Sequence, residues 1–136
     1  MTTNKHLTYR VNAELDAAEV ADLFRDSGIR RPVDDIPRIE KMLECANLTI
    51  TAWDGARLVG IARSLTDFAF CLYLSDLAVA KAFQRQGIGK ELIRRTQELV
   101  GDQVMILLLA APEAKDYYGP VGFSKVDNGW IINRTR

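Results

Sequence analysis

The stretch Leu74-Ser75-Asp76-Leu77-Ala78-Val79, followed after Ala80–Phe83 by Gln84-Arg85-Gln86-Gly87-Ile88-Gly89-Lys90, decides how this 136-residue chain is read. An apolar strand runs into a short turn, and glycines then occupy the start of a helix. Ile88, Leu92, Thr96 and Leu99 keep helical spacing, and Gly101 closes the element. The first amides of any helix lack an internal acceptor, and the macrodipole makes that end positive. Glycine removes the bulk that would hold an anion away from those amides, so the spacing predicts a phosphate site, with Arg85 and Lys90 adding charge at its edge. Other phosphate motifs fit badly. A Walker A loop needs glycine at Gln84 and Ser or Thr at Glu91, and a dinucleotide fingerprint opening at Gly87 needs a small residue at Leu92.

Downstream, Val104–Ala110 is an unbroken apolar run of strand length, as expected for a strand buried on both faces and paired in parallel. Together with Phe68–Val79 and the intervening helix it makes a βαβ unit. A short helix near Glu113–Tyr118 and strands around Phe123–Lys125 and Trp130–Asn133 are predicted to follow. Upstream, Leu48–Trp53 meets Asp54-Gly55 and returns as Leu58–Leu65, a hairpin signal, with Phe68–Val79 as third member of an antiparallel meander. Leu7–Val11 reads as a short strand. Ala17, Val20, Ala21 and Phe24 form an amphipathic helix ended by Gly28, and a second helix starts near Asp34 or Asp35 with Ile36, Ile39 and Leu43 on one face. The predicted fold class is α/β, a mixed sheet flanked by helices, in one domain spanning 1–136.

Composition narrows the function. Apolar residues are 48% and charged residues 26%, a globular balance, and the 18 basic and 18 acidic side chains cancel, which argues against a nucleic-acid binder. Two scattered cysteines, Cys45 and Cys71, and one histidine, His6, offer no zinc set, so no metal is expected. Cys71 reads as a small buried apolar residue. Met1–Tyr9 lacks the apolar core of a signal peptide, and no window has the length of a membrane span, so the cytoplasm is the expected location.

Gln84, Gly87 and Gly89 resemble the Q/R-x-x-G-x-G/A signature of the GNAT superfamily of N-acetyltransferases, and Tyr117-Tyr118-Gly119-Pro120-Val121-Gly122-Phe123 is similar to that family's F-Y-x-x-x-G-F element. With the helix pair before the meander, the resemblance covers nearly the whole chain. It implies a splayed sheet (the acyl-CoA N-acyltransferase fold) with acetyl-CoA as co-substrate in the gap. Leu77, Ala78 and Val79 would then face the acetyl and pantetheine arm, and Gln84, Arg85, Gln86, Gly87, Ile88, Gly89 and Lys90 the diphosphate. It also implies that Tyr118 protonates the departing thiolate, that the acceptor is a small-molecule primary amine, and that a homodimer is left open.

Two departures from the family pattern stand out. Ala110-Ala111-Pro112 replaces an asparagine that some members place after the parallel strand, and Tyr73 stands near the position of a glutamate base common in lysine acetyltransferases. Water is then the expected base, with Ser75, Tyr73 or Asp76 assisting. Arg30 and Arg31 read either as a solvated loop pair or as acceptor contacts, with Tyr73 and Ser75 beside them. Asp76 reads as a salt-bridge or strand-edge group and Tyr117 as core. The competing functions are a non-catalytic CoA-binding sensor and a protein-lysine acetyltransferase.

Overall fold

The computed structural model describes residues 6–136; the first part of the polar N-terminus lies outside them. Strand β1 (Leu7–Val11) precedes helices α1 (Ala17–Ser27) and α2 (Ile36–Cys45), and β2 (Leu48–Asp54), β3 (Arg57–Thr66) and β4 (Cys71–Val79) follow. Helix α3 (Ile88–Val100) then leads to β5 (Met105–Leu107). The sheet order is β1-β2-β3-β4-β5, antiparallel throughout except for the parallel β4–β5 pair.

Local sequence explains most boundaries. Gly28 ends α1 in the left-handed conformation that a side chain disfavours. Asp35 caps α2 by accepting from the Arg38 amide, with Pro37 tolerated in the first turn. Asp54-Gly55 turns β2 into β3, with Gly55 at φ 60°.

β2 and β3 are buried along nearly their whole length because helices cover both faces. A Cβ on Gly60 would lie 3.1 Å from Ile88 and 3.3 Å from Leu92, so that parity of β3 faces α3. The other parity turns toward α2: Arg63 donates to the Met42 carbonyl. The core unites Val20 and Phe24 of α1, Ile39 of α2, Ile50, Ile61 and Leu72 of the sheet, and Ile88 and Leu92 of α3.

Several expectations are corrected. β4 begins only at Cys71, because Asp67 forms a tight turn that accepts the amides of Ala69, Phe70 and Cys71. Cys71 therefore sits at the sheet rim and is exposed, not buried. The parallel strand is three residues long instead of seven, and it is not buried on both faces: Met105 is 56% exposed. It is the edge strand, with no strand beyond it among the described residues. The predicted helix near Glu113–Tyr118 is a 3₁₀ turn at Pro112–Ala114 followed by further turns. No strand forms around Phe123–Lys125 or Trp130–Asn133 among the described residues. The chain turns through Gly119–Gly122, with Gly122 at φ 106°, and Trp130 beyond these turns is 97% exposed.

Candidate active site

The parallel strands part early. β5 pairs with β4 only at Cys71↔Met105, Leu72↔Ile106 and Tyr73↔Leu107. Beyond Tyr73, one side of β4 has no strand beside it among the described residues. The Ala80 amide bonds back to Val59 of β3 at 2.8 Å. Because successive residues of a strand point their backbone groups alternately, Ala78 also faces β3, whereas Leu77 and Val79 aim theirs into the gap. Gln84 fills part of it: its side-chain amide donates to the Val79 carbonyl at 2.9 Å and the Ser27 carbonyl at 3.4 Å.

A cleft of about 200 Å³ occupies the gap. Leu74, Ser75 and Leu77 form one wall, Leu108–Ala111 the opposite wall, and Tyr118 with the Ile29–Arg31 loop the ends. Tyr73 is not brought to it; this residue lies in the paired part of β4 and is 39% exposed.

Ser75 is an extra residue in β4. The register passes from Ser64↔Leu74 to Arg63↔Asp76, so Ser75 bulges without a partner opposite. Two arginines pin the bulge. Arg63 donates to the Ser75 hydroxyl at 3.0 Å, and Arg31 to the Ser75 carbonyl at 2.7 Å. Both also reach Asp76, one on each carboxylate oxygen, at 2.5 Å. Asp76 has no exposure to water, and both of its oxygens are taken up by guanidiniums. It cannot serve as a base for an incoming group, which corrects one of the three candidates. Sequence reasoning gave Asp76 a salt bridge without partners, although a charge at the inward parity of an apolar strand already signals a buried one.

At the other end of β4 the chain curls. Arg85 takes φ 65° and Gly87 φ 85°, and alternation into left-handed conformations turns successive amides to one side of the loop. The Glu91 amide bonds to the Gly87 carbonyl at 3.0 Å, so the helix itself offers no acceptor to the amides of Ile88, Gly89 and Lys90. Gly89 lies close beneath a side chain: a Cβ there would meet the Tyr117 hydroxyl at 2.6 Å, so the end of that ring would have to move to admit one. Tyr117 therefore lies over the helix start and is 40% exposed, not the core residue expected. Arg85 and Lys90 are exposed at the rim of the loop.

Tyr118 packs edge-on against Tyr117 and Phe123, with ring centroids 5.0 and 5.5 Å away. Burial raises its phenol pKa above 10.0, repulsion from an ionised Tyr117 oxygen adds to the rise, and the Arg31 guanidinium opposes it. The hydroxyl is therefore neutral and able to donate at physiological pH.

The profile of the acetyltransferase (GNAT) domain matches residues 20–132. The chain belongs to the GNAT acetyltransferase family. An uncharacterized ycf52-like N-acetyltransferase of Prochlorococcus marinus is 29% identical over 131 residues, covering 88% of this GNAT chain and 71% of the relative. Among solved structures, a probable acetyltransferase of unknown function from methicillin-resistant Staphylococcus aureus superposes with TM-score 0.76 at 23% identity, over 93% of this chain and 100% of its own. An aminoglycoside N-acetyltransferase in complex with CoA superposes with TM-score 0.70 at 16% identity, over 96% of both chains. These likenesses establish the GNAT fold. Among the described residues, no helix is long and apolar enough to cross a membrane.

Proposed function

We propose that this GNAT domain, spanning 1–136 and working in the cytoplasm, moves the acetyl group of acetyl-CoA to a primary amine of a small molecule. The observation that carries the reading is the parting of β4 and β5 after Tyr73↔Leu107, which lines up the cleft, Tyr118 and the amide-rich start of α3.

The residues fit such a co-substrate. The amides from Arg85 to Lys90 suit a diphosphate, and glycine at 89 leaves only the Tyr117 hydroxyl close to that helix start. Gln84 ties that loop to β4 by holding the Val79 carbonyl within the gap. The Leu77 and Val79 backbone would run beside the pantetheine amides. The fold neighbour solved with CoA makes the same class of ligand reasonable here.

The reaction is a single displacement. The lone pair of the neutral amine attacks the acetyl carbonyl carbon, a C–N bond forms, the C–S bond breaks, and the electron pair leaves on sulfur. Water takes the proton released by nitrogen. The Tyr118 O–H gives its proton to the thiolate and recovers one from solvent, so amide and free thiol are the only products. Backbone amides at the mouth of the gap would steady the carbonyl oxygen as it gains charge. The small cleft suits a small acceptor better than a peptide.

Calorimetry with CoA and a thiol-release assay over a set of amines test this together. Wild type should bind CoA, and Gly89→Glu, which must displace the Tyr117 ring and brings a carboxylate to the helix start, should weaken binding by at least tenfold. Tyr118→Phe should keep CoA affinity and lose on the order of a hundredfold in kcat. Wild type giving no heat with CoA, or Gly89→Glu binding it normally, would refute the reading. Turnover surviving in Tyr118→Phe would remove Tyr118 from its role.

A further inference from the structure

The two arginines at the head of the cleft are used differently. Arg31 is committed on every nitrogen: Nε to Asp76, one amino group to the Ser75 carbonyl at 2.7 Å, the other to the Arg30 carbonyl at 2.6 Å. That last bond folds Arg31 back on its own loop and fixes the backbone at Arg30. Arg30 itself lines the cleft and is exposed, and its guanidinium has no hydrogen bond or ion pair among the described residues. The charge beneath is unbalanced too. Asp76 is shared by Arg31 and Arg63, so the buried cluster keeps one uncompensated positive charge, and Glu113 is the only carboxylate among the cleft-lining residues.

We propose that this end of the cleft selects an acceptor carrying an anionic group, a carboxylate or a phosphate, close to its reactive amine, with Arg30 as the residue that captures that group. The inference rests on the acetyl-transfer reading and adds the acceptor's chemical class. A guanidinium offers a planar pair of N–H donors matched to a carboxylate or phosphate, and its binding to an anion is stronger than a neutral hydrogen bond. The same positive field favours the neutral form of a neighbouring amine over its ammonium, and only the neutral amine attacks. Capture of the anion and activation of the nucleophile thus come from one charge distribution. Arg31 acts through the loop: held by Asp76 and the Ser75 bulge, it places Arg30 at the rim.

The experiment compares matched acceptors in a thiol-release assay: L-alanine, L-serine and L-glutamate against their carboxamides, and phosphoethanolamine against ethanolamine. CoA binding is measured separately by calorimetry. Wild type is expected to favour the anionic member of at least one pair by about tenfold in kcat/KM, equivalent to ~1.4 kcal/mol. Arg30→Gln should bring that ratio toward one, mainly through KM, and Arg30→Glu should invert it, favouring the neutral or cationic member. Arg30→Lys should restore part of the preference, which a merely structural arginine would not explain. Equal or better use of the uncharged partners by wild type would overturn the proposal. So would an Arg30→Glu variant that slows both members of each pair alike. CoA binding with no acceptor preference sinks this inference alone, whereas absence of CoA binding sinks the acetyl-transfer reading beneath it.

Discussion

Asp76→Asn changes one oxygen for an amide nitrogen at a site with no exposure to water, where two guanidiniums meet one carboxylate. The amide keeps the shape but turns an acceptor into a donor facing another donor. Arg31, with a side chain 27% exposed, can turn toward solvent; Arg63, at 7%, cannot. Arg63 keeps its bonds to Met42 and Ser75, but its charge loses the one carboxylate it touches among the described residues. Removing one partner from a buried ion pair costs about 3–5 kcal/mol. Unfolding entropy near ~2.1 cal/mol/K per residue gives ~0.29 kcal/mol/K for the 136 residues. The melting temperature should then fall by about 10–17 °C. Scanning calorimetry of both proteins at neutral pH measures it, with urea unfolding as an independent check. The double variant Asp76→Leu with Arg63→Met removes both charges and should recover much of the loss. A fall of less than about 3 °C in Asp76→Asn would mean that the arginines find other partners, and the ion cluster would not be what holds the bulge.

Gly60→Val pushes methyl groups into Ile88, Ala52 and Leu92, which already lie 3.1–3.3 Å from an added Cβ. Overpacking of this kind costs about 1–3 kcal/mol, and thermal unfolding should show it; an unchanged midpoint would mean that α3 is loosely seated. Tyr9, Tyr117 and Tyr118 all have phenol pKa values raised above 10.0, each chiefly by burial. The folded state therefore holds these protons more tightly than the unfolded chain. Stability is full below pH 10 and falls as pH rises through and beyond it, visible as a dropping urea midpoint between neutral pH and about pH 11; a flat profile would contradict the burial of these rings.

Where a residue's fate is decided by its near neighbours, the sequence sufficed. The Asp54-Gly55 hairpin, the Gly28 stop, the Asp35 cap and the α3 start with its glycines all follow from turn chemistry and helical spacing. The apolar runs on either side of the α3 spacing carried the βαβ unit, and the GNAT resemblance came after it. Hidden features depend on distant pairing. Arg31 lies 45 positions from Asp76, and the bulge at Ser75 exists only relative to β3. The apolar pattern of Val104–Ala110 is real, yet periodicity measures hydrophobicity and not the presence of a covering layer, so an edge strand was read as a buried one. Tyr117 and Tyr118 are adjacent and chemically alike. Only the turns around them send one hydroxyl to Gly89 and the other ring to the cleft.

Because β4 and β5 share a ladder for only three residues, the sheet is an unfinished fabric on that side. A molecule lying in the gap acts as a removable thread, stitching the two halves for as long as it stays. Any such occupant binds the folded form alone, so at a hundredfold excess over its Kd it adds ~2.7 kcal/mol to the free energy of unfolding. The protein's resistance to unfolding, and to proteases that wait for it, then rises and falls with the supply of whatever fills the seam.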